Sequence, residues 1–126
     1  YDSLNIMKDQ IKGIIEKLEL PFRIITLCGG DLGFTSALTY DFEIYSPAQD
    51  KWLEVSSVSN FETFQSNRLK IRYRNAHGKT SLVHTLNGSS LALPRVFATI
   101  LENFQTKDGI MIPKVLQEYT GFSIIK

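Results

Sequence analysis

Apolar residues recur near the start of the chain at Leu4, Met7, Ile11, Ile14 or Ile15, and Leu18, at spacings of three and four. That spacing puts them on one face of an α-helix. Asp2 or Ser3 is placed to cap its start and Pro21 to stop it. Phe22 to Cys28 is a short apolar run ending at Gly29-Gly30, which predicts a mostly buried strand. Asp31 to Thr39 shows no clean period and predicts a loop or a single helical turn. From Asp41 to Ser46 the pattern alternates, with Phe42 and Ile44 facing one way and Glu43 and Tyr45 the other. Pro47 ends that strand, Ala48 to Lys51 reads as a turn, and Trp52 to Val58 returns as the second arm of a hairpin.

Asn60 is placed to cap a short helix through Phe61, Phe64 and Gln65. Leu69 to Arg74 alternates again, with Lys70, Arg72 and Arg74 on one face. A turn at Asn75 to Lys79 and a return strand at Ser81 to Leu86 follow. Asn87-Gly88-Ser89-Ser90 breaks the sheet pattern. Leu93, Val96, Phe97, Ile100, Leu101 and Phe104 then repeat at helical spacing, with Pro94 in the first turn, where a missing amide costs least. After Asp108-Gly109 a last short helix is expected near Val115 to Tyr119. Helix, antiparallel strands, long helix is an α+β order: an antiparallel β-sheet flanked by helices, not alternating βαβ units.

Composition narrows the picture. The 126 residues are 43% hydrophobic and 21% charged, the mix of one folded domain and not of a disordered tail. The net charge of +1 gives no global field for a nucleic acid or a membrane surface. No apolar run approaches the ~18 residues of a membrane span. A single cysteine, Cys28, excludes an internal disulfide and a multi-thiolate zinc site, and it reads as a small buried hydrophobe. The chain opens Tyr1-Asp2-Ser3, with neither an initiator Met nor a signal-peptide pattern, as a fragment or processed product would.

Five places could carry chemistry. Glu54, followed by Ser56, Ser57, Ser59 and Asn60, offers hard oxygen donors for a divalent cation and a phosphate. The same residues also fit the exposed face of an edge strand, the commoner outcome. Asn87 to Ser90 leads toward the long helix, whose N-terminal amides suit an anion, and Gly88 permits close backbone approach. An ordinary capping turn fits as well. Arg95 sits one turn into an otherwise apolar helix, where it either snorkels to water or meets an anion in a cleft. His84 reads as a sheet histidine before a catalytic base, and His77 as exposed in a turn. The basic residues between Arg68 and Arg74 fit a nucleic-acid backbone or a solvated strand face.

Taken in order, several stretches resemble bacterial-type seryl-tRNA synthetases, class II aminoacyl-tRNA synthetases. Leu27 to Thr35 is similar to LCTGDMGFT, Thr39 to Ile44 to part of KTYDIEVW, Glu54 to Asn60 to EISSCSN, and Phe64 to Arg68 to FQARR. His84 to Arg95 resembles HTLNGSGLAVGR, the family's motif 3, and Glu102 to Gln105, Asp108-Gly109 and Ile112-Pro113 follow its ENYQ, DG and VP elements. The resemblance runs over essentially all of the chain. It implies a partial class II catalytic fold: residues 1–126 as a single, incomplete domain, the C-terminal part of the catalytic domain, with motif 3 near 84–105. The coiled-coil arm, motif 1 and motif 2 of the family have no counterpart here, and Tyr1 to Leu20 resembles the helix after motif 2.

The resemblance implies serine activation by Mg-ATP to seryl-adenylate, then transfer to tRNA(Ser). Its motifs carry over as follows. Glu54, Val55, Ser56 and Ser57 match the ATP-binding stretch, and Glu54 and Ser57 would hold Mg²⁺. Arg95 matches the arginine that engages the ATP phosphates, and with Glu54 it is the catalytic candidate. Ser89, with Asn87 close by, would contact serine. Strict alternation would put Glu54 and Ser57 on opposite faces, so the resemblance requires a bulge or a strand end between them. It further implies ATP and Mg²⁺ without zinc, a homodimeric parent, tRNA contact mainly through other regions, no membrane partner and a cytoplasmic location. Gly29, Leu38, Asn67, Ser90 and Pro94 depart from the pattern, the last two in motif 3. Two alternatives stay open: a non-catalytic paralogue acting as an interaction module, and a synthetase-like ligase that charges a carrier protein.

Overall fold

The computed structural model describes all residues from Tyr1 to Lys126. Helix α1 (Asp2–Lys17) buries Leu4, Ile11 and Ile15, with Leu18 just beyond its end, while Ile14 is exposed. Its N-cap is Tyr1 and no side chain caps it. Asp2 therefore lies inside the first turn, where its charge favours the helix dipole. The helix ends before Pro21, because Glu19 adopts a left-handed φ of 57° and turns the chain.

A four-stranded antiparallel sheet follows. Its strands are β1 (Phe22–Thr26), β2 (Leu38–Ser46), β3 (Lys51–Asn60) and β6 (Leu86–Gly88), in the order β1-β2-β3-β6. Phe42, Ile44, Val55 and Val58 point to one side and are fully buried. There they join α1 and Val96 and Ile100 of α3 (Leu93–Asn103) in a single core. On β2 the alternate residues Thr39, Asp41, Glu43 and Tyr45 face the other way. One apolar face and one polar face is the usual economy of an antiparallel sheet. Between β3 and β6 the chain makes an excursion through α2 (Phe64–Leu69) and a hairpin of β4 (Arg72–Arg74) and β5 (Thr80–Leu82). After α3 come β7 (Gln105–Thr106), β8 (Gly109–Met111), α4 (Lys114–Thr120) and β9 (Ile124–Ile125), with the three strands in a small sheet of their own.

The α+β order and the long strands match the sequence reading; several local expectations do not. Asn87 and Gly88 do not break the sheet. They belong to β6, opposite Ser59 and Val58 of β3. Asn60 does not cap α2. It ends β3, its Oδ1 accepts from the Glu62 amide at 2.8 Å, and Thr63 takes the cap position. Leu69 to Arg74 is not one strand, because Leu69 closes α2 and Lys70 takes a left-handed φ of 58°. His84 lies in the connection after β5 and is exposed, as is Cys28, which approaches Asp31 and not the core. Leu93 and Phe97 are 72% and 63% exposed. The apolar stripe of α3 is wider than the sheet beneath it, so these two line an apolar groove of about 590 Å³ with Ile14, Leu18 and Leu116.

Gly88 shows how closely α1 rides on the sheet. A Cβ there would lie 2.7 Å from Val58 Cγ1 and 2.8 Å from Met7 Cε. Val58 is β-branched and fully buried, so it has no room to yield. Gly88→Ala should cost about 1–3 kcal/mol, the usual scale of overpacking. A denaturant midpoint unchanged from the parent would contradict this.

Candidate active site

The polar face of the sheet is organised by one irregularity. Asp41 pairs with Ser57 and Phe42 with Ser56, but Glu43 pairs with Glu54, so Val55 is an extra residue in β3. This is a β-bulge. Directly opposed residues share a face, so Ser57 stands with Asp41 and Glu54 with Glu43 on the polar side. Val55 and Ser56 both turn inward and are 1% and 2% exposed. The bulge thus lies where the family resemblance requires one. It also corrects one expectation: the side chains of Val55 and Ser56 are part of the core, so only their main chain can face a ligand.

The segment after β6 runs along the edge of β3 and binds it. The Ser89 amide donates to Ser57 O at 3.1 Å and the Ala92 amide to Val55 O at 2.6 Å. Ser56 Oγ donates to Ser89 O at 2.5 Å, and the Ser57 amide donates to Ser89 Oγ at 3.3 Å. Arg95 completes the series, with Nη1 donating to Glu54 O at 2.5 Å. The guanidinium therefore does not snorkel away. It is brought to the strand that carries Glu54 and Ser57, and the rest of its fork has no protein partner. Pro94 sits in the first turn of α3 and leaves that reach intact. The helix N-cap is Ala92, so Asn87 and Ser89 precede the helix N-terminus and are held by the sheet. Asn87 is exposed and stands opposite Ser59, whose hydroxyl lies 2.7 Å from Thr39 Oγ1.

The same face holds groups that sequence reasoning did not single out. Asp41 lies between Ile25 and Ser57, and its Oδ1 is buried without a hydrogen-bond partner. Arg23 is paired to Glu43 at 2.5 Å and stacks over Trp52 at 4.7 Å. Tyr45 donates to Asp50 Oδ1 at 2.6 Å, and that bond to a carboxylate, with a smaller desolvation contribution, raises its phenol pKa. The signal was available: Thr39, Asp41, Glu43 and Tyr45 are the alternate positions of a strand whose other face is apolar. For a divalent cation the donor chemistry is suitable, since Glu54 and Ser57 put a carboxylate and a hydroxyl on one face.

Residues 1–104 match the family model described as tRNA synthetase class II core domain (G, H, P, S and T). The chain belongs to that family. Among relatives of this class II core, the serine–tRNA ligase of Finegoldia magna is 52% identical over 99% of the chain. The chain spans about 30% of that relative's length. A seryl-tRNA synthetase from Pyrococcus horikoshii, solved in complex with ATP, superposes with a TM-score of 0.90 at 39% identity. It is matched over 99% of the chain and 29% of its own. A cytoplasmic serine–tRNA ligase from Naegleria fowleri in complex with AMP gives a TM-score of 0.89 at 29% identity, over 99% of the chain and 30% of its own. The resemblance to seryl-tRNA synthetases and the α+β class II fold read from the sequence both stand.

The clamp of the class II segment on β3 is open to a direct test. Ser56→Ala removes a buried donor from the Ser89 carbonyl and should cost about 1–3 kcal/mol. Amide exchange at Ser89 and Ala92, followed by mass spectrometry, should speed up more than exchange across β2. Uniform exchange rates in the variant and the parent would refute the clamp.

Proposed function

We propose that this chain is the C-terminal part of the catalytic domain of a serine–tRNA ligase. The observation that carries the reading is the bulge in β3 that sets Glu54 and Ser57 on one face, with Arg95 bonded to the main chain of Glu54, in a chain 52% identical to a serine–tRNA ligase. Relatives solved with ATP and with AMP support an adenine nucleotide as a substrate in this reading.

In the proposed reaction a serine carboxylate oxygen attacks the α-phosphorus of ATP. A P–O bond forms, the bond to the β-phosphate breaks, and pyrophosphate leaves. A hydroxyl of the terminal tRNA ribose then attacks the seryl carbonyl and AMP leaves. Such chemistry asks the protein mainly to position groups and stabilise charge. Arg95 would meet phosphate oxygens with the free part of its fork, a geometry that suits guanidinium better than ammonium. Glu54 and Ser57 would hold Mg²⁺, which supplies charge neutralisation on the phosphates. Ser89 keeps its hydroxyl proton for a ligand, since its oxygen is the acceptor toward the Ser57 amide. With Asn87 it is assigned to serine. The assembled ligase would work as a homodimer in the cytoplasm, need Mg²⁺ and use no zinc.

Two outcomes test this reading. In the full-length protein, Arg95→Ala should lower serine-dependent ATP–pyrophosphate exchange ~10²-fold, the scale for losing one preorganised charge stabiliser. Arg95→Lys should recover part of it, and both variants should stay folded. Exchange near the parental rate in a folded Arg95→Ala protein would refute the assignment. Residues 1–126 alone should show no exchange, because the chain makes up about 30% of the ligases it resembles. Serine-dependent exchange by this segment would show that the site is self-sufficient.

A further inference from the structure

From Thr63 to Leu101 the chain carries Arg68, Lys70, Arg72, Arg74, Lys79 and Arg95, and no Asp or Glu. The whole chain is nearly neutral, with 14 basic and 13 acidic residues, so this is a segregation of charge within it. All of these cations except Arg95 lie on α2, on the β4–β5 hairpin or, for Lys70, on the turn between them, and all of them are exposed. None is paired with a carboxylate. The ion pairs of the structure are Lys8–Asp9, Lys12–Glu16 and Arg23–Glu43, all elsewhere. The guanidinium groups of Arg68 and Arg72 reach only the carbonyls of Phe64 and Lys70. A surface built for solubility alone intersperses both signs.

Aromatic faces accompany the cations. Arg68 lies 3.5 Å over the ring of Phe64, which meets Phe34 edge-on at 5.8 Å. Phe34 is 91% exposed and Tyr73 51%. Cations with open aromatic rings fit a nucleic-acid strand: the cations neutralise phosphates and the rings stack bases. The excursion is also anchored beside the polar face. The Phe61 amide donates to Thr85 O and the Thr85 amide to Glu62 O, which ties its two ends together where β3 stops and β6 starts. Ser59 and Asn87 pair at that same end of the sheet.

We propose that the α2–β4–β5 excursion is an RNA-binding surface, which holds the phosphate backbone of a strand whose 3′ end lies over the sheet at Ser59 and Asn87. Arg72 and Arg74 bind phosphates, and Phe34 with the Arg68–Phe64 pair stacks a base. The proposal deepens the serine–tRNA ligase reading and rests on it, since it names the surface that receives the RNA.

The test uses the full-length protein and a 5′-labelled RNA stem with a single-stranded CCA 3′ end, followed by fluorescence anisotropy over a salt series. Arg72→Gln/Arg74→Gln should weaken binding about tenfold and reduce the salt slope by about two, one per lost phosphate contact. Lys17→Gln/Lys51→Gln, an equal charge change far from the excursion, should leave both unchanged. Phe34→Ala should weaken binding with no change in salt slope. Seryl transfer to RNA should fall in the hairpin variant while serine-dependent pyrophosphate exchange stays at the parental rate. Parental affinity and slope in a folded Arg72→Gln/Arg74→Gln protein would overturn the proposal. So would an equal loss in the Lys17→Gln/Lys51→Gln control. A hairpin-dependent binding to phosphatidylserine vesicles, with RNA binding intact, would assign the surface to lipid and overturn it too. A parental protein that binds RNA through the hairpin yet shows no serine-dependent exchange would sink the ligase reading and leave this surface standing.

Discussion

Everything on the polar face depends on one extra residue in a central strand. Without the bulge at Val55, alternation would carry either Glu54 or Ser57 into the core. With it, the strand changes phase once. Upstream and downstream polar residues then look the same way, and two neighbours, Val55 and Ser56, look inward. The irregularity is stabilised from both sides. Val55 packs into the core beneath α3, and the carbonyls of Glu54, Val55 and Ser57 are taken up by Arg95, Ala92 and Ser89.

The core and the candidate site are therefore two faces of one sheet and share residues. Gly88 is small because α1 comes down on β6 at that point, and its neighbour Asn87 is set on the opposite, open side by the same alternation. Ser56 is buried, yet it holds the main chain of Ser89.

Much of this was legible in the residues. The period-two pattern of β2 and the three-four pattern of α1 and α3 set the elements, and the order of motifs set the family. What escaped has physical reasons. The left-handed residues Glu19 and Lys70 end helices without the glycine that normally marks such an ending. Three-residue strands such as β6 are too short to show a period, and Asn-Gly reads as a turn unless a partner strand is known. Leu93 and Phe97 carry the helical period correctly, but period alone does not say how much of a stripe is covered. Asp41 belongs to the alternation that was read for its neighbours, and its buried, unpaired oxygen is visible only in three dimensions.

The segment from Ser89 to Arg95 is hydrogen-bonded to β3 through Ser89, Ala92 and Arg95, and the residues between them form no hydrogen bond to that strand. Ser90 forms no hydrogen bond in the structure, and Pro94 occupies a helix position that needs no amide. A three-point attachment of this kind makes the segment a template with fixed pegs and free spacers. Substitutions at Ser90 and Pro94 leave these attachments to β3 in place. Drift in such a protein is expected to gather at the spacers first, so divergence inside the motif is by itself a poor sign of lost function.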